Sequence, residues 1–351
     1  MQPTGVLMVG SVPGASPQDV FTRLATALSS RLPAIPDGET GERWNYIGWQ
    51  LGCFPPVSRR VELGGSHLPE PVSPKPTFTL DDIKPTAYDE AALSSYAEFK
   101  RLREQNIIPP NVRFQIALPS PYSVMAGHLK PEVVNEIEPL YEKRFADSLE
   151  RIAAEIPHDE MVIQWDLCFE MTAMEYEIGR IDQVRHSAYF SDPKGLVHGL
   201  VDRVVRLSEH IPQDVKLAFH LCYGDLNHKH FVEPHDSTLL VKLANAILAE
   251  KTLGPRTEWI HLPVPKNRTD PEYFLPLKDL KLNETGAKPP HLYLGVVHAK
   301  DESGTRKRIE TAQATIPFSF GVSTECGLGR TPPDEIESIL SICKNVTAEH
   351  T

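Results

Sequence analysis

Apolar positions along this chain fall into two alternating patterns. Short runs rich in β-branched and aromatic residues alternate with longer stretches whose apolar residues recur every three or four positions. That alternation gives parallel strands joined by crossover helices. Eight runs read as strands: 5–10 (GVLMVG), 34–37 (AIPD), 112–118 (VRFQIAL), 161–166 (MVIQWD), 215–222 (VKLAFHLC), 259–264 (WIHLPV), 291–298 (HLYLGVVH) and 318–323 (FSFGVS). Residues 17–31, 131–156, 196–210, 239–251, 305–314 and 334–344 carry the helical spacing, as in Val20, Leu24 and Leu28. Eight strands with intervening helices predict an α/β fold, a single (β/α)8 TIM barrel over residues 1–351. The Pro-rich residues 50–85 lack periodicity and predict a long insertion or lid between the second strand and the next helix.

In such a barrel the active site forms where the strands end. The carboxyl ends bring together Ser11, Asp37 and Glu39, Ser120, Asp166, His220 and Cys222, His261, His298, and Glu325 with Cys326. The opposite ends carry turn residues such as PTG and PNV. His220 and Cys222 are two apart on a strand, so their side chains share a face. Alone, the pair reads equally as a core histidine beside a buried thiol. With Cys326 reaching the same mouth from the eighth strand, it becomes a candidate zinc site of imidazole and two thiolates.

Composition narrows the partners. Lys plus Arg number 36 against 47 Asp plus Glu, a formal net charge of −11, and no basic tract tracks a phosphate backbone, so no nucleic acid is expected. No apolar run reaches the ~18 residues of a spanning helix, so no membrane is expected either. Five scattered cysteines do not make a disulfide framework, and with an opening segment that reads as a strand they point to the reduced cytoplasm. The sequence is silent on oligomeric state. GLGR at 327–330 lacks the strand-loop-helix context of a dinucleotide fingerprint. His228, His230 and His235 read as a polar surface loop, with a second metal site as the alternative. Cys168 reads as core packing before a site role.

Five motifs then carry a resemblance. VLMVGSVPG (6–14), IPDGETGERWNYIG (35–48), IQWD (163–166), HLCYGD (220–225) and STECGLGR (323–330) together resemble the C-terminal catalytic domain of cobalamin-independent methionine synthase. That family, in the methionine synthase and uroporphyrinogen decarboxylase superfamily, comprises zinc enzymes on a (β/α)8 barrel. The order and spacing of the motifs agree over nearly the whole chain. The resemblance implies Zn2+ held by His220, Cys222 and Cys326, activating a substrate thiol. It implies that Glu39 and Asp166 grip a substrate amino group, with Ser11 near its carboxylate.

The departures are specific. The family's metal glutamate belongs at the end of the sixth strand, where WIHLPVPKNR has no acid. His261 is the replacement, as fourth ligand or as a buried histidine bonded to backbone. Where the family has an aspartate near the end of the seventh strand this chain has His298, suited to general acid or base work beside Asp166. LPSPYS (118–123) replaces the folate-side motif, which argues against authentic folate-dependent synthesis. Arg43 beside its motif is read as a substrate-binding group or a loop-closing salt bridge, and Arg330 likewise. The expectation is a zinc-dependent enzyme transferring an alkyl group to or from the sulfur of a small thiol or amino acid. The alternatives are a metal-dependent lyase or hydrolase acting on a small carbonyl-containing metabolite, or a non-catalytic binding descendant.

Overall fold

The computed structural model describes residues 2–60, 77–224, 229–285 and 288–350. Eight strands form one all-parallel sheet: β1 (Val6–Leu7), β2 (Ala34–Pro36), β3 (Arg113–Pro119), β4 (Met161–Leu167), β5 (Lys216–Leu221), β6 (Thr257–Pro263), β7 (His291–Val297) and β8 (Gly321–Thr324). Neighbours pair in the order β1-β8-β7-β6-β5-β4-β3-β2. Between β1 and β2 a single parallel bridge, Ser11 to Gly38, closes the ring, with the Val12 amide donating to the Gly38 carbonyl at 2.9 Å. Each predicted strand is present. They were readable because a strand covered on both faces stays apolar throughout, and β4 and β5 are buried at almost every position.

Around the sheet stand α1 (Pro17–Leu28), α2 (Tyr46–Leu51), α3 (Tyr88–Glu104), α4 (Pro121–Met125), α5 (Pro131–Glu155), α6 (Phe169–Glu177), α7 (Leu196–Ser208), α8 (Thr238–Ala249), α9 (Pro271–Phe274), α10 (Glu302–Thr315) and α11 (Pro333–Val346). Helix α1 begins at an N-cap, the Asp19 amide donating to the Ser16 hydroxyl, followed by Pro17 in the first turn. It buries Val20, Phe21, Leu24 and Leu28. Inside the ring, Leu7, Ala34, Val162, Ala218, Trp259 and Tyr293 fill the amino-terminal layer. Above them Gln115 and Gln164 donate to the Val9 carbonyl, and the Trp259 indole donates to Gln164 Oε1 at 3.0 Å. This hydrogen-bonded polar layer plugs the barrel and leaves chemistry to the layer beyond it.

The middle of the segment 50–85, expected as an insertion or lid, lies outside the described residues at 61–76. Its flanks are anchored: Gln50 Nε2 donates to the Thr86 carbonyl, Tyr141 donates to Gln50 Oε1, and the Lys84 amide donates to the Cys53 carbonyl. No described helix is long and apolar enough to cross a membrane.

Candidate metal centre

Strands β5 and β8 deliver the centre. On β5 the inward side chains are Ala218 and His220, continued by Cys222 just past the strand end, and Cys326 follows β8. A ring nitrogen of His220 and the sulfurs of Cys222 and Cys326 all lie within 4.8 Å of one another, the one such group among the described residues. The two sulfurs are 3.6 Å apart. Two thiolates bound at ~2.3 Å to a tetrahedral zinc stand about 3.8 Å apart, so this spacing suits a shared metal and is far too long for a disulfide of about 2.05 Å.

Three further observations fit a soft divalent ion. His220 Nε2 is buried without a hydrogen-bond partner, a cost that a metal bond would remove. The Gly224 amide donates to the Cys222 sulfur at 3.2 Å, an arrangement that favours a thiolate. The donor set itself, one imidazole and two thiols, is that of zinc sites with an open position. The Cys222 thiol is held well above its ordinary value by neighbouring Cys168 and by burial, against the pull of Cys326 and the Gly224 amide. In the free protein it is therefore a thiol, and metal binding would displace its proton.

His261 is close but differently employed. Its Nδ1 lies 2.7 Å from His220 Nδ1 and its Nε2 lies 3.0 Å from the Thr324 carbonyl. Both nitrogens are occupied, so in this arrangement His261 stands behind His220 and is not a fourth ligand. Burial drives His220 well below its ordinary value, with His261 adding to it, and drives His261 down to about 3 against the Thr324 carbonyl.

The expected substrate groups gather on the β1–β4 side. Glu39 has a left-handed backbone (φ 49°), strain that a carboxylate in an ordinary loop would not carry. Asp37 organises its surroundings: Oδ1 accepts the Glu39 amide at 2.9 Å, and Oδ2 accepts Arg43 at 2.7 Å and the Ser95 hydroxyl at 2.6 Å. Arg43 is thus bound to Asp37. Burial first, then the charge of Asp37, raises Glu39 to about 8 despite Arg43 and Arg330. Burial and then Glu39 also push Asp166 well above its usual range, against the hydrogen bond donated by Gln164 at 2.8 Å. Ser11 braces the Cys326 turn: its hydroxyl accepts the Gly329 amide at 3.1 Å and its carbonyl accepts the Leu328 amide at 2.6 Å.

On the β5–β8 side a cleft of about 510 Å³ reaches Cys222 and Cys326. His298 and Glu325 line it, and so does His230. The polar loop was expected on the surface, yet His230 turns in, its Nε2 3.2 Å from Glu325 Oε1 and its Nδ1 3.2 Å from Glu233. Phe231 pulls the loop down, its ring lying over Gly224 and 5.1 Å from that of Phe169. Burial lowers the His230 pKa, but Glu325 and then Glu233 outweigh it and carry it up to about 9. His235 is exposed, and His228 lies outside the described residues. His298 Nε2 donates to the Val264 carbonyl at 3.0 Å while Nδ1 is 3.6 Å from Glu325, and burial, helped by Arg308, lowers it to about 3.

Two groups escaped sequence reasoning. Glu170, on α6, is buried and accepts hydrogen bonds from Ser120 and, at 2.7 Å, from Ser123. Tyr46, at the start of α2, is held well above its ordinary pKa by burial and by the proximity of Cys168, Cys222, Glu170 and Asp166, so its phenol keeps its proton beside the centre. Glu170 stands three residues beyond the end of β4 and Tyr46 lies within the motif at 35–48, but neither residue type marked its position as part of the centre.

Fold and site together define a class, a (β/α)8 barrel whose carboxyl rim carries a possible His/Cys/Cys metal site. Among solved structures the chain is similar to a B12-independent methionine synthase from Shewanella sp. W3-18-1 in complex with selenomethionine, at 15% identity and a TM-score of 0.52, over 98% of this chain and 96% of that one. At that identity the likeness concerns the fold. No family model matches the chain, and no curated protein matches it.

Proposed function

We propose that this chain is a zinc-dependent enzyme that activates the sulfur of a small thiol or amino acid for alkyl transfer, methyl above all, by a reaction other than folate-dependent methionine synthesis. The observation that carries the reading is the convergence of His220, Cys222 and Cys326. The selenomethionine bound in the similar synthase structure supports a sulfur or selenium amino acid as the ligand class.

Zinc held by these three residues would lower a bound thiol's pKa, supplying a thiolate nucleophile at neutral pH. The chain's own groups account for the rest. Glu39 and Asp166 resist ionising side by side in a buried site, and a substrate ammonium placed between them would relieve that resistance. Such an exchange favours cations over neutral ligands. The Ser11 hydroxyl proton is available to a substrate carboxylate, since only its oxygen is used by Gly329. Tyr46 keeps its phenolic proton and serves as a donor near Cys222. The cleft past Cys222 and Cys326 gives the alkyl partner an approach, with proton handling assigned to His298, which lines it, and to Asp166 on the β1–β4 side. Metal analysis of protein purified without chelator tests the reading: about one zinc per chain supports it, and chain free of zinc after supplementation overturns it.

A further inference from the structure

His220 and His261 stand opposite each other in the ladder between β5 and β6. Their Nδ1 atoms, 2.7 Å apart, must share one proton. Its owner is settled one atom further on. His261 Nε2 lies 3.0 Å from the Thr324 carbonyl, which can only accept, so His261 carries a proton on Nε2. The rings are 2% and 0% exposed, and their partners are each other and that carbonyl, surroundings in which a cationic imidazole is costly. A neutral His261 protonated on Nε2 offers a lone pair at Nδ1. The bridging proton therefore belongs to His220 Nδ1, and the remaining lone pair of His220 is on Nε2, the buried nitrogen with no partner.

We propose that His261 is a positioning residue: clamped by the Thr324 carbonyl, it fixes His220 in the one tautomer that offers Nε2 to a metal. The inference rests on the metal reading above and deepens it. Metal-bound histidines usually give their second N–H to a carboxylate, a carbonyl or water. Here a second histidine stands between the ligand and the carbonyl, passing the constraint across two strands. Thr324 is two residues before Cys326, so one strand end supplies a sulfur ligand and also sets the proton on the nitrogen ligand. A threonine hydroxyl bond to the Cys326 carbonyl, 2.8 Å, holds that strand end in shape.

The test uses the full chain, 15N-labelled at histidine, first stripped of metal and then given Zn(II) alone. In the metal-free protein, imidazole 1H–15N correlations are expected to find His220 protonated at Nδ1 and His261 at Nε2. His261→Phe should lose that signature at His220 and bind zinc about 10- to 100-fold more weakly in chelator competition. His261→Gln, whose amide can donate to Thr324 and accept from His220, should restore most of the affinity. A His220 tautomer protonated at Nε2, or undiminished zinc affinity in a folded His261→Phe, overturns the inference. Should the Phe variant not fold, the wild-type spectrum and the Gln variant decide it. Failure of the wild type to bind zinc overturns the metal reading instead, and the tautomer spectrum still decides the proton placement.

Discussion

Cys222 and Cys326 are 104 positions apart in the chain, yet their sulfurs meet at 3.6 Å. The contact exists because β5 and β8 end on the same rim, so a change at one sulfur should be read out at a metal they share. Cys326→Ser is expected to cut zinc affinity by roughly two orders of magnitude or more, because a serine hydroxyl stays protonated where a thiol gives up its proton. Cys53→Ser, buried elsewhere against Gln50 and the Pro85 carbonyl, should leave it unchanged. Chelator competition on both variants checks this.

Gly327 is set by contact and not by chain conformation. A Cβ there would lie 2.3 Å from the Ser11 hydroxyl and 3.1 Å from the Ser11 amide nitrogen. Gly327→Ala should cost about 1–3 kcal/mol in urea unfolding and should weaken metal binding as well, because Ser11 and the Cys326 turn must part. An effect on stability alone would separate the turn from the centre.

Glu39 predicts a pH dependence of known sign. Its folded pKa, about 8, stands above the ordinary 4.5, so between those values the folded chain holds a proton that the unfolded chain has released. This contribution to stability is present below about 4.5 and is lost as pH rises towards 8. Glu39→Gln should therefore be more stable than the wild type, by a margin that grows over that window at no more than about 1.4 kcal/mol per pH unit and is flat above it. A margin that stays flat in denaturation curves from pH 5 to 9 would show instead that the acid is ionised throughout.

Ligand binding should release protons. At pH 7 Glu39 is mostly protonated and Asp166 is raised too, and an ammonium between them restores their acidity. Calorimetry in buffers of different ionisation enthalpy is expected to report release of about one proton or more per amino acid bound. The N-acetylated analogue, which lacks the cation, should release about one proton fewer.

How much of this was legible depends on contrast in the sequence. The strands were clear from continuous apolar runs. Helix α3 was not: its buried positions, Tyr88, Ala92, Ser95, Phe99 and Leu102, follow helical spacing, but alanine and serine dilute the stripe. His220, Cys222 and Cys326 were readable as a trio because strand ends converge in any barrel. The employment of His261 was not, because alternation says that a side chain points inward and nothing about which atoms it finds there. His230 was misplaced for a similar reason. A polar loop looks solvated until Phe231, seated over Gly224, is seen to anchor it.

The lone bridge between Ser11 and Gly38 has a consequence for access. Every other neighbouring pair of strands in the ring is joined by a ladder, so the barrel's weakest joint lies between β1 and β2, beside Ser11 and Glu39. The laddered arc of the ring carries the candidate sulfur ligands and Asp166, and the joint carries Ser11 and Glu39, two of the groups assigned to the substrate. Molecular breathing, the Val12 amide exchanging with solvent ahead of the amides in β4 and β5, would thus be concentrated where a ligand must enter, while the metal cradle keeps its shape.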